Sequence, residues 1–201
     1  MDHDAAAATY ANLLNEIKYR VAAIDDCLGG RVQMRARIAE EHCYLQLRMI
    51  CELIAIGSLI LHGDIEVGSK VRKSYQADRI IKALSEQHLD AYPQPIQLTD
   101  TDDDPPQHIP IKTGFLTKEN FFYLYNQVCG AALHRGKAEN ILVKERKTDF
   151  DPIKKWLDRI IALLNRHTVI SRDEETYFIF VMENGKAEVA WNVMKLVKDT
   201  E

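Results

Sequence analysis

A chain of 201 residues is long enough to fold as one domain around its own apolar core, without crosslinks to hold it. Its 46 % hydrophobic and 28 % charged residues exclude an unfolded chain and match an ordinary globular protein. A net charge of −4 excludes a surface built throughout for nucleic acid, while leaving room for a local basic patch.

The first predicted helix runs from Ala5 to Cys27, where Tyr10, Leu13, Leu14, Ile17, Val21 and Ile24 recur at three- and four-residue steps. Gly29-Gly30 ends it, because glycine takes the left-handed conformation that closes helices. The second helix is predicted from Val32 to His62. Ile38, Leu45, Met49, Leu53, Ile56 and Ile60 form one side, and Leu47, Ile50, Ile54 and Leu61 widen the apolar surface. A helix apolar over most of its circumference is expected in the interior. The run Leu45 to Leu61 carries Arg48 and Glu52, and a charge at mid-bilayer costs about 2.5–3.5 kcal/mol, so a buried helix is expected rather than a membrane span.

A third helix is predicted from Ser69 to His88 and stops at Tyr92-Pro93-Gln94-Pro95. From there to Thr113 the prolines and the run Asp100, Asp102, Asp103, Asp104 predict a long solvated loop. The fourth helix starts after Thr117, an N-cap residue, and reaches Leu133. The fifth opens at Asp151-Pro152 and ends near Arg166. Thr176 to Met182 and Ala187 to Val193 read as strands joined at Asn184-Gly185, a strong hairpin signal. The expected fold is mainly α: about five helices bundled around the long second helix (residues 1–168), with a C-terminal β-hairpin (residues 169–201) packed on the same domain.

Two groups of residues could carry chemistry. Arg37, Glu41, Tyr44, Arg48 and Glu52 occupy one narrow polar stripe of the second helix. Charges on so apolar a helix must face water, a cavity or each other, because lone buried charge is too costly. Tyr44, Arg48 and Glu52 are therefore binding candidates in a cleft or interface, or else a seam of structural ion pairs. In the late helix, Asn126, Gly130 and His134 share one side. Gly130 in a helix interior suggests close packing or the close approach of a ligand. His134 and Arg135 lie where cations suit the helix dipole, and Gly136 caps the end. A histidine side chain ordinarily titrates near neutral pH, which suits proton transfer.

The leading pair of long helices and a late helix ending in Leu133-His134-Arg135-Gly136 resemble the HEPN-like helical domains of prokaryotic defence and toxin systems. In that family an arginine followed a few residues later by a histidine serves metal-independent RNA cleavage. Arg37 to His42 has that spacing, and Asn126 is the nearest upstream polar group of suitable type for His134. The resemblance covers the helical part of the chain. It implies an RNA-binding or RNA-cleaving protein with His134 as the proton-transfer group, Arg135 or Arg48 stabilising phosphate charge, and Arg31, Arg35 and Arg37 drawing in the RNA backbone.

The four cysteines show no C-x-x-C pair, and the first residues, Met1-Asp2-His3-Asp4 and four alanines, do not read as a secretory leader. A reducing cytoplasmic setting is expected. The scattered histidines lack metal-ligand spacing, and no phosphate-binding glycine loop is present, so no metal and no cofactor are expected. Two functional expectations follow. One is a non-enzymatic interaction or regulatory protein, homodimeric through apolar helix faces or hairpin edges, or docked on another protein. The other is the HEPN-like, RNA-directed activity.

Overall fold

The computed structural model describes residues 2–63, 76–98, 108–133, 147–171, 175–183 and 187–195. The predicted start of the third helix, the acidic run, Asn184-Gly185, and the pair His134 and Arg135 lie outside the described residues.

Helix α1 spans His3–Leu28. It begins two residues before the expected start because the Asp2 carboxylate accepts a hydrogen bond from the Ala5 amide at 3.1 Å. At its other end it is Gly30, at φ 67°, that takes the left-handed conformation. Helix α2 spans Ala36–Leu61 and packs antiparallel along α1. Their contact is tightest at Gly57, where a Cβ would stand 2.3 Å from Cε2 of Tyr10. Here glycine is required by a neighbouring ring rather than by backbone freedom.

Helix α3 (Ala77–Gln87) packs on α2. Helix α4 covers 118–133 and is not uniform. It opens as α-helix at Lys118–Phe122, capped by Thr117, widens into a π-helix over Tyr123–Val128, and returns to α over Cys129–Leu133. Helix α5 is Asp151–Leu164. Asp151 is already inside it, and Asp149 supplies a carboxylate to the Asp151 amide.

The expectation of a mainly α bundle with a terminal hairpin is corrected by the sheet. Among the described residues the five helices stand, but they share the fold with five antiparallel strands in the order β2-β1-β3-β4-β5, an α+β arrangement. Strand β1 (Gln94–Leu98) and strand β2 (His108–Pro110) fall in the segment expected as a loop, and β3 (Arg166–Ile170) begins where the fifth helix was expected to end. Residues 168 and 169 are consecutive in β3. Strand β4 (Thr176–Val181) and strand β5 (Ala190–Lys195) pair from Thr176–Lys195 to Val181–Ala190. The second hairpin strand starts later than expected because α1 holds the residues before it. Asn15 accepts from the Val189 amide at 3.1 Å, and Lys18 donates to the Ala187 carbonyl at 2.8 Å.

Side chains alternate across β3 and β4, so His167, Val169, Phe178 and Phe180 all reach the face covered by α1. Tyr10 meets Phe180 edge-to-face at 4.5 Å between ring centroids, and His3 meets Phe178 at 5.7 Å. This layer and the α1–α2 contact form one continuous core. Helix α2 is the one described helix long and apolar enough to cross a membrane, and 56 % of that stretch is buried inside the protein. Its inward side is Cys43, Leu47, Ile50, Ile54 and Leu61. Its outward side is not covered: Ile38 is 49 %, Leu45 43 % and Ile56 37 % exposed.

Candidate functional site

Arg48 and Glu52 are one turn apart on α2, with Nε and Oε1 3.3 Å apart. Both lean towards α4, where Tyr125 completes the group. Arg48 Nη2 donates to the Tyr125 hydroxyl at 3.0 Å, and that hydroxyl donates to Glu52 Oε1 at 3.3 Å. The guanidinium also lies 4.3 Å from the centroid of the Tyr125 ring, a cation–π geometry. Each charge is therefore paired before it is desolvated, which makes a partly buried ion pair tolerable.

The π-helical turn is what brings Tyr125 here. Its wider winding keeps residues four apart in line, so Phe121, Tyr125 and Cys129 all face α2 and are buried. Phe121 and Tyr125 stack with their planes 10° apart. Burial pushes the Tyr125 phenol above its ordinary pKa, with Arg48 opposing and Glu52 adding to the rise. The phenol thus stays protonated and keeps its bond to Glu52.

Of the expected binding residues, Arg48 and Glu52 converge, whereas Tyr44 and Asn126 take other places. Tyr44 is buried in the core, and Asn126 is exposed on the outer side of the π turn. Of the close packing or ligand approach expected at Gly130, close packing against the described residues is not found, since a Cβ there would meet none of their atoms within 4 Å. Tyr125 was missed as a site residue. The signal for it was the four-residue row Phe121, Tyr125, Cys129.

The four cysteines are buried thiols. Burial pushes Cys43 up to about 12, with Cys27 beside it adding to the rise, and it pushes Cys129 up to about 12. Burial also holds Cys51 well above its ordinary value. Protonated thiols of this kind are poor nucleophiles.

Two buried histidines have opposite hydrogen-bond environments. His167 Nδ1 lies 2.9 Å from the Leu164 carbonyl and donates to it, and its Nε2 accepts from the Tyr10 hydroxyl at 3.0 Å. This is a neutral ring, and burial lowers its pKa to about 4. His62, at the end of α2, has Nδ1 2.8 Å from the Ser58 carbonyl and Nε2 3.0 Å from the Ile170 carbonyl. Carbonyls only accept, so whichever ring nitrogen carries the proton donates. His88 Nε2 donates to the same Ile170 carbonyl at 3.0 Å. These contacts tie α2 and α3 to the end of β3.

No family model, curated protein or solved structure matches this chain.

A cleft of about 410 Å³ lies between the end of α1 and α5, lined by Asp25, Asp151, Lys154 and Asp158 among others. None of its lining residues belongs to the Arg48 group. Among the described residues, no three His, Cys, Asp or Glu side chains are placed to hold a metal ion.

Proposed function

We propose that this protein is a non-enzymatic interaction module of the cytoplasm, whose α2 helix docks an amphipathic helix of another polypeptide chain. The observation that carries this reading is the row Ile38, Leu45 and Ile56, exposed on a helix whose other side is the core. Half-buried Met49 continues the row between Leu45 and Ile56. Aligned apolar side chains at helical spacing are what helix-to-helix recognition uses. The Arg48–Tyr125–Glu52 group borders this row and braces α2 against α4, which supports a rigid docking surface. Most side chains with displaced pKa, among them Tyr10, Tyr92, His167 and three of the thiols, owe it to burial in the core, which favours a non-enzymatic role. Four buried free thiols suit a reducing compartment.

A photo-crosslinking residue at Leu45, with Asn12 on the outer side of α1 as control, tests the surface. Crosslinks from Leu45 that map by mass spectrometry to one helical segment, and are lost from the control, support it. Identical scatter from both positions overturns it. The HEPN-like reading rests on His134 and Arg135. Cleavage of labelled RNA in EDTA that a His134→Ala variant loses would replace the non-enzymatic reading.

A further inference from the structure

Resting on the reading of α2 as a docking surface, we infer that its occupant is α2 of a second copy of this chain, packed antiparallel. Ile38, Leu45 and Glu52 repeat every seven residues, and His42, Met49 and Ile56 form the matching set between them. This is the seven-residue seam along which two helices interlock side chains. One margin of the seam carries Glu41 and Arg48, also seven residues apart and opposite in charge.

That margin selects the orientation. In an antiparallel pair with a two-fold axis across the seam, like margins face each other, so Glu41 of each copy meets Arg48 of the other. In a parallel pair the same margin faces the opposite one, which on α2 carries uncharged Gln46 and buried Leu53, with the neighbouring Arg20 of α1 already held by Gln46 and Glu16. The antiparallel register also sets Ile38 against Met49 of the second copy and His42 against Leu45. At the ends it brings exposed Arg35 to Glu52. Arg48 is prepared for this contact. Nε is held by Glu52 and Nη2 by Tyr125, and Nη1 makes no hydrogen bond to a described residue.

The test is sedimentation velocity of the full chain at tens of micromolar, with circular dichroism to show that each variant folds. We expect a species of twice the 23.0 kDa chain mass. Leu45→Asp, whose side chain is already near half exposed, weakens association at least about thirtyfold. Glu41→Arg weakens it about tenfold by turning two attractions into repulsions. Orientation is read by mixing His42→Cys chains with Leu45→Cys chains on a non-reducing gel. Antiparallel packing gives the mixed disulfide, and a parallel pair gives only like-with-like disulfides, which overturns the inference. A monomer, or a dimer indifferent to Leu45→Asp, also overturns it. If crosslinks from Leu45 then reach a different polypeptide, the docking reading stands without the second copy. If they reach nothing specific, both fall.

Discussion

Arg48 lies 4.3 Å over the ring of Tyr125 and also donates to that ring's hydroxyl at 3.0 Å, so one side chain holds both the face and the tip of the other. The hydroxyl donates in turn to Glu52 at 3.3 Å. Removing the oxygen leaves two partly buried charged groups short of a partner. Tyr125→Phe is therefore expected to cost about 1–3 kcal/mol, the usual penalty for unpairing polar groups. Urea unfolding measures it. A double-mutant cycle with Glu52→Gln should give a coupling of about 0.5 kcal/mol or more, and additivity would show that the hydroxyl and Glu52 do not stabilise each other.

His167 is expected to be neutral at pH 7, with its proton on Nδ1. Tyr10 donates to Nε2, which can accept only when the ring is neutral, and the Leu164 carbonyl accepts from Nδ1. Nitrogen-15 NMR of the imidazole ring reads both nitrogens directly. A charged His167 contradicts the assignment.

The pH dependence of stability follows from His167. Burial lowers its pKa from the ordinary 6.5 to about 4 in the fold, so the unfolded chain binds the extra proton first. Stability from this group is fully present above pH 6.5 and is lost as pH falls towards 4. The full contribution is on the order of 3 kcal/mol, at 1.36 kcal/mol per pKa unit. Unfolding free energies measured between pH 4 and 7 check the slope. His167→Gln should flatten it, whatever its effect at neutral pH.

The helices were legible because their signals are local. Tyr10, Leu14, Ile17 and Ile24 recur at helical spacing and are all buried on α1, and Thr117 does cap α4. The sheet was not legible, for reasons particular to its strands. Pro95 and Asp100 to Asp104 mark β1 and its surroundings as loop, yet Pro95 still uses its carbonyl, accepting from Ile111 at 2.9 Å. β3 follows α5 with only Asn165 between, too short a gap to announce a change of period. Arg48 and Glu52 were readable as a polar stripe on an apolar helix. Tyr125 was readable only as a buried residue of the row Phe121, Tyr125, Cys129, because its partner 77 residues away depends on how α4 packs.

Two glycines on neighbouring helices are expected to respond in opposite ways to alanine. At Gly57 the new Cβ would stand 2.3 Å from Cε2 and 2.4 Å from Cδ2 of Tyr10. Tyr10 cannot retreat freely, because its ring packs on Phe180 and its hydroxyl is bound to His167. Gly57→Ala should therefore destabilise by about 1–3 kcal/mol, as overpacking in a closed core does. At Gly130 the Cβ meets no described atom within 4 Å, and the residue lies in the α-helical Cys129–Leu133 piece. Only helix propensity is at stake there, so Gly130→Ala should stabilise by up to about 1 kcal/mol. Thermal melts of the two variants beside the parent chain should move in opposite directions. A drop in Tm for Gly130→Ala as large as that for Gly57→Ala would mean that the space beside Gly130 is filled by something that presses on it, and a partner chain docked at α4 would have to be considered in its place.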